Sequence, residues 1–320
     1  MTKTIPIILC IILIPCVFLA LPFIPPELCV GTNYSAYPVS MGYNDYFSFL
    51  VSCFIPENTA PVSAAVFADD NSVISELQLK DNIHITETPL SEIALTNETT
   101  YNIDLSELLK TYSPQKKEDE KPQILIIHTH ATESFAGTSG RSLDKNQNMI
   151  EVGRVFKESL TKRGFSVIHD TTYHDYPNYN GSYANSLKTV EEYLKKYPSV
   201  NIVFDLHRDG VIDQNGSAVK LSANYNGQSV AKLMFVVGTD AGGLTHPNWK
   251  SNLCFATSLQ SRLNSICNGL MRPINVRNER FNHHTTPSSV IVECGTNGNT
   301  LEEACRSVQL LALALSDYIK

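Results

Sequence analysis

From residue 123 onward, short apolar runs alternate with stretches whose apolar residues recur at helical spacing, and few folds accommodate that alternation. The first run is ILII, Ile124–Ile127. A helix is expected over about 148–163, where Val152, Val155, Phe156, Ser159 and Leu160 share one face and Gly164 supplies the stop. Strand 165–169, a helix over 182–196, strands 201–206 and 233–238, a helix near 252–268 and strand 290–293 follow. The last helix, about 301–319, opens on Thr300 and Glu303 at capping-box spacing. Repeated β–α units with apolar strands imply an α/β domain: a mostly parallel twisted sheet flanked by helices on both faces.

The region upstream has another character. No residue from Ile5 to Ile24 is charged, and Lys3 stands just before them. About 20 apolar residues suffice to span a bilayer, and the positive flank keeps the amino end inside. A cleaved signal peptide is the rival, but no A-x-A pattern follows, only Pro22, Pro25 and Pro26. The expected organisation is a cytoplasmic end at 1–4, a transmembrane anchor helix at 5–24, an extracytoplasmic stalk or small accessory region at 25–122, and a domain from 123 to 320. The stalk holds one short helix, 105–112, capped by Asp104, and ends in the charged linker KKEDEK, Lys116–Lys121. A net charge of −7 argues against a nucleic-acid partner. The eight cysteines form no CxxC pair, which argues against a finger-type structural zinc site.

Ligands of open α/β sheets sit at the carboxyl ends of the strands. Three expected strands finish on or near a metal-capable or acid–base residue: His130, His207 and Glu293. Two histidines and a glutamate around an open position make a common catalytic zinc site, and a further carboxylate can carry the proton. Glu151, in the first turn of the 148–163 helix, can point a carboxylate toward the sheet's edge, although the helix dipole alone accounts for an acid there. His128 competes with His130, because residues two apart in a strand point the same way. Glu133 is close enough to His130 to be a rival ligand or base. His207-Arg208-Asp209 imitates a kinase catalytic loop, but no glycine-rich phosphate loop accompanies it, and Gly137–Gly140 is not a nucleophile elbow.

The strings HTHATES (His128–Ser134), DLHRD (Asp205–Asp209) and ECG (Glu293–Gly295) together resemble the stage II sporulation protein P family. These are engulfment peptidoglycan hydrolases of endospore-forming bacteria. Asn178–Asn180 with Ser182 and Tyr183, Asn248 and Trp249 with Asn252, and Arg280–Asn282 resemble it too. The likeness runs from about 124 to 320, and weakly over 99–109. The family is distantly similar to zinc N-acetylmuramoyl-L-alanine amidases. The resemblance implies that His130, Glu151 and His207 hold Zn2+ and that Glu293 is the catalytic acid–base. It implies cleavage of the N-acetylmuramoyl-L-alanine amide, releasing stem peptides, and of peptide cross-links. The setting it implies is septal wall thinning and engulfment, in the intermembrane space of the sporulating cell, with the protein anchored in the cytoplasmic membrane. Implied partners are peptidoglycan, a lytic transglycosylase and a membrane scaffold of the engulfment machine. Arg208, Asp209 and Asn282 are implied to contact substrate or support the ligands. Thr129 and Ala131 depart from the glycine-rich turn of those amidases, which leaves the choice between His128 and His130 open. The alternative is an inactive peptidoglycan-binding or scaffold protein of the same machine, which would lack a ligand or the Glu293 equivalent; neither is missing.

Overall fold

Ile124–Ile127 has no polar side chain to turn toward water, and in the computed structural model it is an interior strand buried at every position. The structure describes residues 77–79, 83, 85–110 and 122–319. The strands are β1 (Leu95–Asn97), β2 (Ile124–Ile127), β3 (Val167–His169), β4 (Ile202–Asp209), β5 (Ser222–Tyr225), β6 (Gln228–Ala231), β7 (Leu233–Gly238), β8 (Ile274–Arg277) and β9 (Ser288–Thr296). The helices are α1 (Leu105–Leu108), α2 (Met149–Thr161), α3 (Ser182–Lys196), α4 (Trp249–Ile266) and α5 (Leu301–Tyr318). Seven strands form one sheet in the order β1-β8-β7-β9-β4-β2-β3. Neighbours run parallel except β7 with β9, which are antiparallel. β5 and β6 form a separate antiparallel hairpin around Asn226 and Gly227, both at positive φ.

The two faces of the sheet are covered unequally. On one face Phe204, Leu206, Phe235, Val237, Val290 and Val292 join Phe156 of α2, Phe255 of α4 and Leu311 of α5 in the main core. On the other, Leu125, Ile127 and Val203 pack against Val190 of α3 in a much smaller cluster. Helices on both faces were expected; a single helix on the second face was not. The expected ends of the α3 helix and β7 match the structure, while β4 and β9 run past theirs.

Part of the expected 25–122 stalk joins this domain. β1 pairs with β8, and Leu77 and Ile93 are buried in the main core. Tyr101 stacks on Trp249 with ring centroids 5.2 Å apart and donates to Asp240.

Among the described residues no helix is long and apolar enough to cross a membrane. The expected transmembrane helix at 5–24 lies outside the described residues, so the single-pass topology and the extracytoplasmic placement built on it are withdrawn. What the structure carries is the α/β sheet and its helices.

The capping box at α5 is present: Thr300 and Glu303 satisfy each other's backbone N–H groups. Glu303 also accepts from Asn299 (3.1 Å) and pairs with Lys220 (2.7 Å). Burial opposes its charge, yet these partners and Ser229 hold its carboxyl down at about 2. Glu303→Ala is therefore expected to cost about 1–3 kcal/mol in urea unfolding at pH 7. The folded-state value is depressed, so the charge's contribution is complete above the ordinary value of 4.5 and fades as pH falls through about 2. The gap between wild type and Glu303→Gln should narrow over that range.

Candidate active site

Asp205, His207 and Asp209 alternate along β4 and so share the face that α3 covers. The parallel register sets His207 beside Glu293 of β9. Beyond β2, the Thr129 backbone N–H donates to Asp205 Oδ1 (2.8 Å) and its hydroxyl to Oδ2 (2.6 Å). That clamp turns the chain and brings His130 to His207, with ring centroids 5.2 Å apart and planes nearly perpendicular. Tyr179 stacks on His130 at 4.5 Å, its hydroxyl 3.3 Å from His130 Nε2. Tyr183, on α3, meets His130 edge-on and lies parallel to the His207 ring. Glu133 returns from the turn: its Oε2 accepts from the Arg208 backbone N–H (2.8 Å) and lies 3.7 Å from His207 Nδ1.

Electrostatics separates the members of this cluster. Burial pushes His130 down to about 3, and the neighbouring His207 adds to the effect. Burial would lower His207 as well, but Asp205, Glu133 and Glu293 prevail and hold it up at about 10. Burial pushes the Glu293 carboxyl up to about 8; Glu133 and Asp209 act in the same direction and His207 against it. Burial alone would raise Asp205, but His207 and the two Thr129 bonds hold it well below the usual carboxylate range.

Two atoms here are buried without a polar partner, His130 Nδ1 and Glu293 Oε2, while His207 Nε2 lies 3.0 Å from Asp205 Oδ1. Each such orphan costs about 1–3 kcal/mol unless something else satisfies it. Imidazole nitrogens and carboxylate oxygens are the donors that zinc takes, so the chemistry fits that ion. Among the described residues, no three such side chains converge closely enough to hold a metal as they stand.

The other expected residues divide. Glu151 forms a bidentate ion pair with Arg154, one turn along α2, at 2.5 and 2.7 Å. The acid that the structure brings to the histidines is Glu133, because the turn after β2 folds back over β4. His128 is engaged elsewhere: its Nδ1 donates to the Leu206 carbonyl (3.2 Å), which leaves Nε2 to accept from His169 Nε2 (2.8 Å). The Arg208 guanidinium donates to the Gly140 carbonyl and so braces the 133–141 turn. Asp209 pairs with Arg272 at 2.7 Å. Asn282 donates to the Tyr183 carbonyl and the Ser186 hydroxyl, fixing the start of α3. Sequence reasoning placed Asp205, Tyr179 and Tyr183 in family-like strings but gave them no part in the site. For Asp205 the signal was present: it stands two residues before His207 and so on the same face of the strand.

A side chain at Gly153 would run into His169 Nε2 and His128 Nε2. Gly153→Ala is expected to cost about 1–3 kcal/mol by overpacking. Thermal melting checks this, and an unchanged midpoint would show that the histidine pair yields freely.

The family model described as stage II sporulation protein P matches residues 57–316. Stage II sporulation protein P of Bacillus subtilis (strain 168) is 24% identical over 221 residues, 64% of this chain and 53% of that protein. The chain thus spans about half the length of that relative. Among solved structures, an N-acetylmuramoyl-L-alanine amidase from Clostridium difficile 630 aligns at 15% identity and a TM-score of 0.39, over 63% of this chain and 96% of that one. The apo N-acetylmuramyl-L-alanine amidase of Mycobacterium abscessus aligns at 13% and 0.39, over 62% and 100%. Likeness at that level is loose and bears on neither activity nor metal.

Proposed function

The chain belongs to the stage II sporulation protein P family, and from that premise we propose that it hydrolyses peptidoglycan during sporulation as a zinc-dependent N-acetylmuramoyl-L-alanine amidase. The observation that carries the reading is the meeting of His130, His207, Glu133 and Glu293 at neighbouring strand ends, with His130 Nδ1 and Glu293 Oε2 buried and unpartnered.

The proposed ligands are His130, His207 and Glu133, with Glu133 taking the place that the sequence suggested for Glu151; they would have to turn from the orientations they hold here. Zinc held there would supply an electrophile for the scissile carbonyl and lower the pKa of a water. Glu293 Oε2, which has no hydrogen-bond partner, would take a proton from the attacking water as its oxygen adds to the carbonyl carbon and would deliver that proton to the leaving amine as the C–N bond breaks. Asp205 orients His207 and stays ionised while doing so. Tyr179 and Tyr183 wall the histidines and limit access of bulk water. Cleavage of peptide cross-links and partnership with a lytic transglycosylase and a membrane scaffold belong to the same proposal, supported by the family resemblance alone.

Digestion of purified wall followed by mass spectrometry tests the reaction. Free stem peptides with a new amino terminus at L-alanine are expected, whereas intact peptides on shortened glycans would reject it. Glu293→Gln should retain zinc and lower kcat at least about 100-fold. Glu133→Gln should lose zinc and Glu151→Gln should keep it, as read by metal analysis of the purified protein. The reverse pattern would return the ligand role to Glu151.

A further inference from the structure

On the side of Glu293 away from the histidines, the face of the sheet that α3 covers elsewhere forms an open cleft of about 420 Å³. It crosses four strands in turn, β9, β7, β8 and β1. Its floor is apolar at Ile291, Met234 and Val236, with Asn275 set among them and Thr96 at the far end. Asn275 Oδ1 is buried and has no hydrogen-bond partner. Arg272 lies along the side, already paired with Asp209. The aromatic rings of the cleft, Tyr183 and Phe281, belong to its lining as well, and Tyr183 also faces the histidines.

We propose that this cleft is the subsite for the leaving peptide, which lies extended across β9, β7, β8 and β1 with a backbone N–H donating to Asn275 Oδ1. The assignment rests on the amidase reading above. The order of strands gives the direction. The candidate metal ligands stand on β4 and on the turn after β2, so the acyl side of the scissile amide belongs there. Glu293, on β9, delivers the proton to the nitrogen, and the chain beyond that nitrogen must continue away from the histidines. The next strands in that direction are β7, β8 and β1.

The dimensions agree. Three inter-strand spacings of about 4.8 Å carry the cleft about 14 Å from β9 to β1. A strand-like peptide advances about 3.4 Å per residue, so about four residues fill it. A lining that sets Arg272 and Arg277 beside Met234, Val236 and one unsatisfied amide oxygen suits a peptide, whose backbone supplies the missing donor.

The test uses the full chain, with soluble muramyl peptides carrying stems of one to four residues and, separately, the free four-residue peptide as a calorimetric ligand. The expected kcat/KM is at least about tenfold higher for four residues than for one, the scale of one lost hydrogen bond with its apolar contacts. Thr96→Trp, at an exposed position, plugs the far end and should bring that ratio toward one; Asn275→Leu should lower it as well, with melting curves to confirm that both variants fold. Both should weaken binding of the free peptide. If all stems are cleaved alike by the wild type and the free peptide does not bind, the cleft assignment is overturned and the amidase reading stands. If no stem is cleaved, yet the free peptide binds and Thr96→Trp abolishes that binding, the cleft assignment is supported and the amidase reading falls.

Discussion

A single buried carboxylate organises the carboxyl ends of β2 and β4. Asp205 takes two hydrogen bonds from Thr129 and lies against His207, so one side chain sets both the turn after β2 and the charge on β4. The Thr129 hydroxyl is also within 2.8 Å of the Ser186 hydroxyl, which Asn282 contacts in turn. Strand, turn, helix and the loop before β9 are therefore linked through one polar chain in an otherwise apolar setting. Such networks are worth most when every member is satisfied. Beside it stand His130, His207 and Glu293, with His130 Nδ1 and Glu293 Oε2 buried and unpartnered.

Unequal coverage of the sheet gives this cluster its surroundings. The face with the large core fixes strand order and register, since Phe204, Phe235 and Val292 leave no room for a slip. The second face is covered by α3 over β2 and β4, then lies open beyond β9. The boundary between the covered and open parts falls at Glu293, where burial raises a carboxyl while one side still reaches the cleft. A single uncovered half-sheet thus provides both the perturbed acid and the space beside it.

Legibility in the sequence followed periodicity. β2, α2, α3, β7 and α5 carry strong apolar patterns or explicit caps, and each was anticipated close to its observed bounds. β8, INVR, was missed because one of its faces is uncovered and polar, so it lacks the continuous apolar run of a strand buried on both sides. The β5–β6 hairpin carried an Asn-Gly turn signal that the wider β–α rhythm obscured. The antiparallel pairing of β7 with β9 has no signature in side-chain periodicity at all. His130, His207 and Glu293 were legible from strand ends. Glu133 displaced Glu151 from the cluster because a turn's return path is a tertiary fact, and because Arg154, three residues along the helix, already satisfies Glu151.

The central claim is that His130, His207 and Glu133 meet around one ion, with Glu293 beside it. X-ray absorption at the zinc K edge, on the purified full-length chain loaded with zinc, tests it directly. A shell of nitrogen and oxygen only, with the scattering signature of two imidazoles, is the predicted result. A sulfur shell from any of the cysteines, or zinc that washes away without occupying a defined site, would contradict it.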